Sequence, residues 1–225
     1  LTPLIGAVAA GNTVVLKPSE SAQLDAELLL SNVLGTSRTS LYMNEKRQIT
    51  APQKTDFVRL IEERKKGKPI SYLLGKTEFW SLPFSVTPDV LIPRPDTETL
   101  VQTVLDLAKQ KNNVKILELG TGSGAVAAAL QTELPDAQLL ATDISLPALK
   151  VAQVNFKNLG LERIRVAVGN WLEAIGPEKF DFIVATSLLA SSSSSCTFLD
   201  LCVGRDLPAD SFWGRYRKGI SENIQ

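Results

Sequence analysis

The residues best placed to do chemistry lie where an apolar run, Ile116-Leu117-Glu118-Leu119, gives way to Gly120-Thr121-Gly122-Ser123-Gly124 and then to an alanine-rich stretch. Glycines at this spacing let a chain turn sharply at the end of a strand. They also admit a ligand against bare backbone and let the next helix pack closely on the sheet. A second anchor, Asp143, ends the following apolar run. A carboxylate there can accept both hydroxyls of a ribose. Two cofactor classes use such an arrangement. The dinucleotide fingerprint is GxGxxG, whereas this loop reads GxGxG after an acid. Glu118 at the strand end can receive the ammonium of an amino-acid moiety but would repel a pyrophosphate. The balance favours S-adenosylmethionine over NAD as the cofactor. Asn170 and Trp171 follow the third apolar run. The indole could cover an adenine while Asn170 bonds its edge, or Trp171 could simply pack on top of the sheet.

The composition removes several competing chemistries. The 225 residues include no histidine, which excludes histidine-based triads, histidine-containing zinc sites and a histidine general base. Methyl transfer survives that loss, since it needs chiefly an acceptor placed in line with an activated methyl group. Lys plus Arg balance Asp plus Glu at 24 each, so the basic excess of a general nucleic-acid binder is missing. Cys196 and Cys202 have five residues between them, neither a metal-binding pair nor a disulfide framework. No metal and no membrane span are expected. The opening LTPLIGAVAAGNTVVLKP has no basic region before its apolar stretch and reads poorly as a secretory signal. The first residue is not Met, so a fragment or trimmed chain is expected. Its compartment reads as cytoplasmic, or an organelle if a targeting peptide precedes it.

The elements that must position these residues are an α/β repeat. Strands are expected at Lys115–Leu119, Gln138–Thr142, Ile164–Val168 and Phe180–Ala185. Helices are expected between them at Ser123–Leu134 and Ala148–Leu159. The continuously apolar strands suit a parallel sheet covered on both faces. Ahead of them, Asp96–Lys109 predicts a helix capped by Asp96 or Thr97, with Leu100, Val101, Val104, Leu105 and Ala108 on one face. Residues 70–95 look irregular and strand-like, a β-hairpin linker with Phe79, Trp80, Leu82, Phe84 and Val86 as its apolar cluster. Residues 21–69 predict a small helical domain: one helix from Ser21 with Leu24, Leu28 and Leu29 inward and Gly35 as its stop, another over Asp56–Lys66. Pro3–Ala10 reads as a helix and Thr13–Leu16 as extended. Beyond Ala185 the repeat fails, and the tail with its serine run, Ser191–Ser195, is expected to be poorly ordered or to patch the open sheet edge irregularly.

SESAQLDAELLL from Ser19, GKPISYLLGKTEFWSLPFSVTPDVLIPRPDTETLV from Gly67, ILELGTGSGAVAAAL from Ile116 and FDFIVA from Phe180 together resemble the HemK/PrmC family of protein-(glutamine-N5) methyltransferases. The combination of LIPRPDTE with ELGTGSG is far more specific than the glycine loop alone. The resemblance implies a Rossmann-like class I methyltransferase domain over 96–185, incomplete at its end, behind a helical substrate-docking domain and a hairpin. It implies S-adenosylmethionine held by the Gly120–Gly124 loop, Asp143 and Trp171, to which the reading of the residues adds Glu118 and Asn170. The implied partner is a peptide-chain release factor, methylated on the glutamine of its GGQ motif. Arg94 and Glu98 could line the cleft between domains, or Glu98 could serve a capping and salt-bridge arrangement.

The family's Asn-Pro-Pro-Tyr, which aims the acceptor amide, is replaced by Thr186-Ser187-Leu188-Leu189. Thr186 in the asparagine slot offers one hydroxyl and no planar amide. The alternative reading is therefore a catalytically inactive remnant that binds cofactor or release factor. Methylation of an adenine or another protein amide is a third reading on the same chemistry. Residues 3–20 resemble a segment of the aldehyde dehydrogenase family, in which positions matching Lys17 and Glu20 approach a cofactor ribose. No oxidoreductase activity follows from that short match.

Overall fold

The computed structural model describes residues 20–43, 48–172, 175, 178–187 and 200–208. Residues 1–19 of the leader that resembles aldehyde dehydrogenase, Leu188, Leu189 and the serine run lie outside the described residues. The chain divides into two units, 1–75 and 76–225.

The first unit is helical: α1 Glu20–Leu34, α2 Arg38–Met43, α3 Ala51–Lys65 and α4 Ile70–Leu74. Ala26 and Leu29 of α1, with Leu30 and Val33 beside them, pack on Phe57, Leu60 and Ile61 of α3. The spacing 26, 29, 30, 33 puts these side chains on one helical stripe. Leu24, expected inward, is 39% exposed. It falls off that stripe. Helix α3 begins five residues earlier than Asp56, because Thr50 and Gln53 form a reciprocal capping box and Pro52 suits the first turn. Residues 70–74, expected to be strand-like, are a helix whose Ile70, Leu73 and Leu74 join the same core.

The second unit opens with a hairpin, β1 Lys76–Phe79 and β2 Leu82–Ser85. Its two-residue turn holds Trp80 and Ser81 at φ 52° and 57°, the left-handed geometry that matches strand twist in tight hairpins. Helix α5, Glu98–Ala108, follows a short 3-10 turn over Pro95–Thr97. Neither Asp96 nor Thr97 caps α5: Thr97 is already helical in φ and ψ and makes no side-chain cap bond. Then come β3 Lys115–Leu119, α6 Ala125–Glu133, β4 Gln138–Asp143, α7 Leu146–Asn158, β5 Arg165–Val168, β6 Lys179–Ser187 and β7 Asp200–Pro208. The sheet order is β5-β4-β3-β6-β7, with β5, β4, β3 and β6 parallel.

Side chains alternate along the central strands. Ile116, Phe182 and Val184 face the core shared with α5, α6, α7 and Phe79 and Phe84 of the hairpin. Leu117, Leu119, Ile183 and Ala185 face a second core with Leu172 and Phe180. Burial on both faces explains the unbroken apolar runs. Where an irregular patch was expected on the sheet edge, β7 pairs antiparallel with β6 from Lys179↔Pro208 to Ser187↔Asp200. The open backbone groups of β6 are satisfied by a regular ladder.

Candidate functional site

Order along the sheet reverses at β3: the chain builds outward through β4 and β5, then returns to place β6 on the other side. The crevice beyond the carboxyl ends of β3 and β6 is a topological switch point, where open α/β sheets bind ligands. The loop Gly120–Gly124 lies there. Gly120, Gly122 and Gly124 adopt φ of 74°, 53° and 81°, each in the left-handed region that side chains resist. The amides of Gly120 and Thr121 both donate to the Thr142 carbonyl, at 2.9 Å each. That anchors the loop to β4.

Asp143 ends β4, and its two oxygens hold opposite elements. Oδ2 accepts from the Gly122 amide at 2.9 Å and Oδ1 from the Ser145 amide at 2.9 Å. Ser145 in turn caps α7 by accepting from the Ala148 amide at 3.3 Å. The carboxylate is thereby fixed in direction while keeping acceptor capacity for hydroxyl groups.

Glu118 is 1% exposed. It lies on the α6 side of β3, accepting from Thr121 Oγ1 at 2.7 Å and from the Ala127 amide. Burial pushes its carboxyl up to about 8, against the pull of those two bonds. Thr121 and Ser123 are also buried. Gly122 has open space where a side chain would sit, whereas a Cβ on Gly124 would lie 2.6 Å from Phe156 Cε1. The first glycine leaves room for a ligand; the second lets α6 close on α7.

The remaining candidates separate into two groups. Gly169 donates to the Asp143 carbonyl at 3.1 Å, so Asn170 and Trp171 emerge at the same end of the sheet. Asn170 is exposed. Trp171, at φ 52°, packs against the second core. Leu119 pairs with Ala185, which sets Thr186 opposite the start of the glycine loop. Arg94 is exposed at the start of the 3-10 turn. Among the described residues the Glu98 side chain makes no cap bond and no ion pair; its Oε1 accepts from the Trp80 amide at 3.0 Å and holds the hairpin turn. The sequence reading overlooked Ile144, 69% exposed beside Asp143. An exposed isoleucine next to a strand-end acid was the available signal. It also overlooked Asn155, a buried amide on α7. Among the described residues no cluster has the make-up of a metal site, and no helix is long and apolar enough to cross a membrane.

The comparisons agree with this arrangement. The PrmC N-terminal domain matches residues 13–75 and the methyltransferase small domain matches residues 95–186. The first match opens inside the 1–20 leader. A release factor glutamine methyltransferase of Coxiella burnetii is 43% identical over 166 residues, covering 74% of this chain and 60% of that protein. The proteins so described from Shewanella oneidensis and Escherichia coli are each 41% identical. These alignments cover 74% and 76% of this chain, and 58% and 61% of those relatives. The chain thus spans about three fifths of the length of the relatives it matches. With a helical unit, a hairpin and a Rossmann-like core in the order those domains require, the chain belongs to the HemK/PrmC family of release factor glutamine methyltransferases.

Proposed function

We propose that the chain holds S-adenosylmethionine at the carboxyl ends of β3 and β4, and that it acts in N5-methylation of the GGQ glutamine of a peptide-chain release factor. The observation that carries this reading is the bond between the Asp143 carboxylate and the Gly122 amide. It brings the ribose acceptor and the glycine loop together at the switch point. The residues present fit the group. Gly122 leaves open space, Asp143 keeps acceptor capacity for a ribose, and exposed Ile144 offers an apolar surface to a base.

When bound, S-adenosylmethionine supplies a methyl group already activated by its sulfonium. The chain's task is placement. The Gly120–Gly124 backbone receives the donor, Asp143 fixes its ribose, and Asn170 and Trp171 stand where the adenine would end. Glu118, its carboxyl kept neutral by burial, braces the loop and the start of α6 through Thr121 and Ala127. Held there, the donor would supply the methyl group to the substrate amide nitrogen, and the proton that the amide gives up would pass to water; what the chain's own residues contribute is the alignment of the two partners. Orientation of the two partners carries most of the acceleration in such a step. Arg94 and Thr186 to Leu189 are the proposed substrate-side residues, with Thr186 in the catalytic slot, and residues 21–69 the proposed docking domain.

A second reading is donor binding without turnover. It is favoured by the continuation of β6 as a strand through Thr186 and Ser187, paired with Leu201 and Asp200. Backbone committed to a ladder is less free to cup a substrate amide. The test has two arms: calorimetric titration with S-adenosylmethionine against NAD, and mass-spectrometric detection of methyl transfer to a release factor. Binding with transfer supports the first reading, and binding without transfer the second. Absence of donor binding refutes both.

A further inference from the structure

The amide of Asn155 sits at the junction of three elements. Asn155, 1% exposed, belongs to α7. Its Oδ1 accepts from the Ser85 amide at 2.7 Å, and its Nδ2 donates to the Ser85 carbonyl at 3.0 Å. The same nitrogen donates to the Ser123 carbonyl at 2.8 Å. The side chain thus treats the end of β2 as a strand partner would, while its second N–H holds the glycine loop. Both amide hydrogens are used. One residue on, the Phe156 ring lies directly under Gly124, so α7 supports the loop at two consecutive points.

We propose that Asn155 is a positioning residue for the donor loop, latching it to the β1–β2 hairpin so that occupancy of the loop and order of the hairpin are coupled. The proposal rests on the reading of Gly120–Gly124 as a donor site. Asn155 acts through the Ser123 carbonyl, whose direction helps set that of the neighbouring Gly122 and Gly124 backbone. No other side chain of similar size makes all three bonds. Aspartate keeps the shape but turns a carboxylate oxygen toward two carbonyl oxygens. Serine cannot span the gap, and a leucine would strand three buried backbone groups. Because the latch joins two elements, coupling must run both ways: a ligand that orders the loop must also order the hairpin.

The experiment uses the full chain and S-adenosylhomocysteine as the probe. Titration calorimetry and amide hydrogen exchange are run on wild type, N155D, N155S and V104A. Val104 is a fully buried core residue of α5, so V104A reports what loss of stability alone does. The latch requires N155D and N155S to bind the probe at least about tenfold more weakly, with V104A unchanged. In wild type and V104A the probe slows exchange across β1 and β2; in N155S it does not. Should N155D fail to fold, N155S, which introduces no charge, carries the test. Folded N155S with wild-type affinity and a hairpin that still responds to the probe overturns the proposal. A wild type that does not bind the probe removes the donor-site reading itself, and the latch with it.

Discussion

Replacing Gly124 by alanine should be among the costliest single-atom changes in the α/β unit, and its magnitude can be worked out. The residue has φ of 81°, where a side chain costs about 1–2 kcal/mol. The added Cβ would lie 2.6 and 2.7 Å from Phe156 Cε1 and Cζ and 3.1 Å from Ala152 Cβ. Carbon pairs rest at about 3.5–4.0 Å, so ring and helix must withdraw by roughly 1 Å, an overpacking cost of about 1–3 kcal/mol. Together G124A should lose about 2–5 kcal/mol. Gly122 is the internal control: its φ is also left-handed, at 53°, but no atom stands within 4 Å of its Cβ position. G122A should lose only about 1–2 kcal/mol while filling space proposed for the donor. Urea denaturation followed by tryptophan fluorescence measures the first quantity, and titration with S-adenosylhomocysteine the second. Adding F156L to G124A should recover part of the loss, since the two positions share one contact. If G124A costs no more than G122A, or F156L restores nothing, the argument from the Phe156 ring is refuted.

The pH profile should carry the mark of Glu118. Burial keeps its carboxyl protonated in the fold up to about pH 8, well above the ordinary carboxylate value of 4.5. The native state therefore holds the extra proton between those values, and stability falls as pH rises through that window. The drop is on the order of 5 kcal/mol at most. E118Q should flatten this slope in urea titrations at pH 5 to 8; an unchanged slope would place the cause elsewhere. Asp181 works in the opposite direction. The Lys111 ammonium, at 2.8 Å, and the Lys115 amide, at 2.9 Å, hold its carboxyl below the usual range. Its contribution is complete above the unfolded value and is lost as pH falls through the folded one, so D181N should lose about 1–2 kcal/mol at pH 7 and soften the acid limb of the same titrations. Glu98 should matter through the hairpin turn. E98A removes the acceptor of the Trp80 amide and should cost about 1–2 kcal/mol, with E98Q nearly neutral; equal losses for the two would deny the hydrogen bond its role.

What could be read from the sequence followed the locality of the signal. Loop, strand and helix around Gly120–Gly124 occupy fifteen contiguous residues, 116–130, and the left-handed φ of each glycine is a property of its own turn. Asp143 was legible for the same reason, as the polar end of an apolar run. Asn155 was not, because its partners Ser85 and Ser123 are 70 and 32 residues away and nothing in the neighbourhood of an asparagine on a helix announces them. For Glu98 local spacing offered a cleft position or a cap, and its bond to the Trp80 amide, 18 residues away, could not be seen in it. Helix α3 began early because the Thr50–Gln53 capping box lies ahead of the first buried position, Phe57. Strand β7 has no strong alternation, and its ladder is set by the edge of β6. A strand edge recruits a partner by backbone pairing, which side-chain patterns barely encode.

The two halves of the proposed chemistry fall on opposite sides of β3. On one side, β3, α6, β4 and α7 are tied to one another by the side chains of Asp143, Thr142, Glu118 and Asn155, whose bonds all lie between residues 85 and 148 or on α7. The other side is the end of β6, where Thr186 and Ser187 meet β7. The loop's own bonds are made without the β6–β7 ladder, so donor affinity should be insensitive to what replaces Asn-Pro-Pro-Tyr, whereas orientation of an acceptor amide depends on it. A good donor affinity would therefore carry little weight in deciding between an active enzyme and a binding remnant. That decision lies with the substrate side, the end of β6 foremost, and only transfer to a release-factor glutamine reads it.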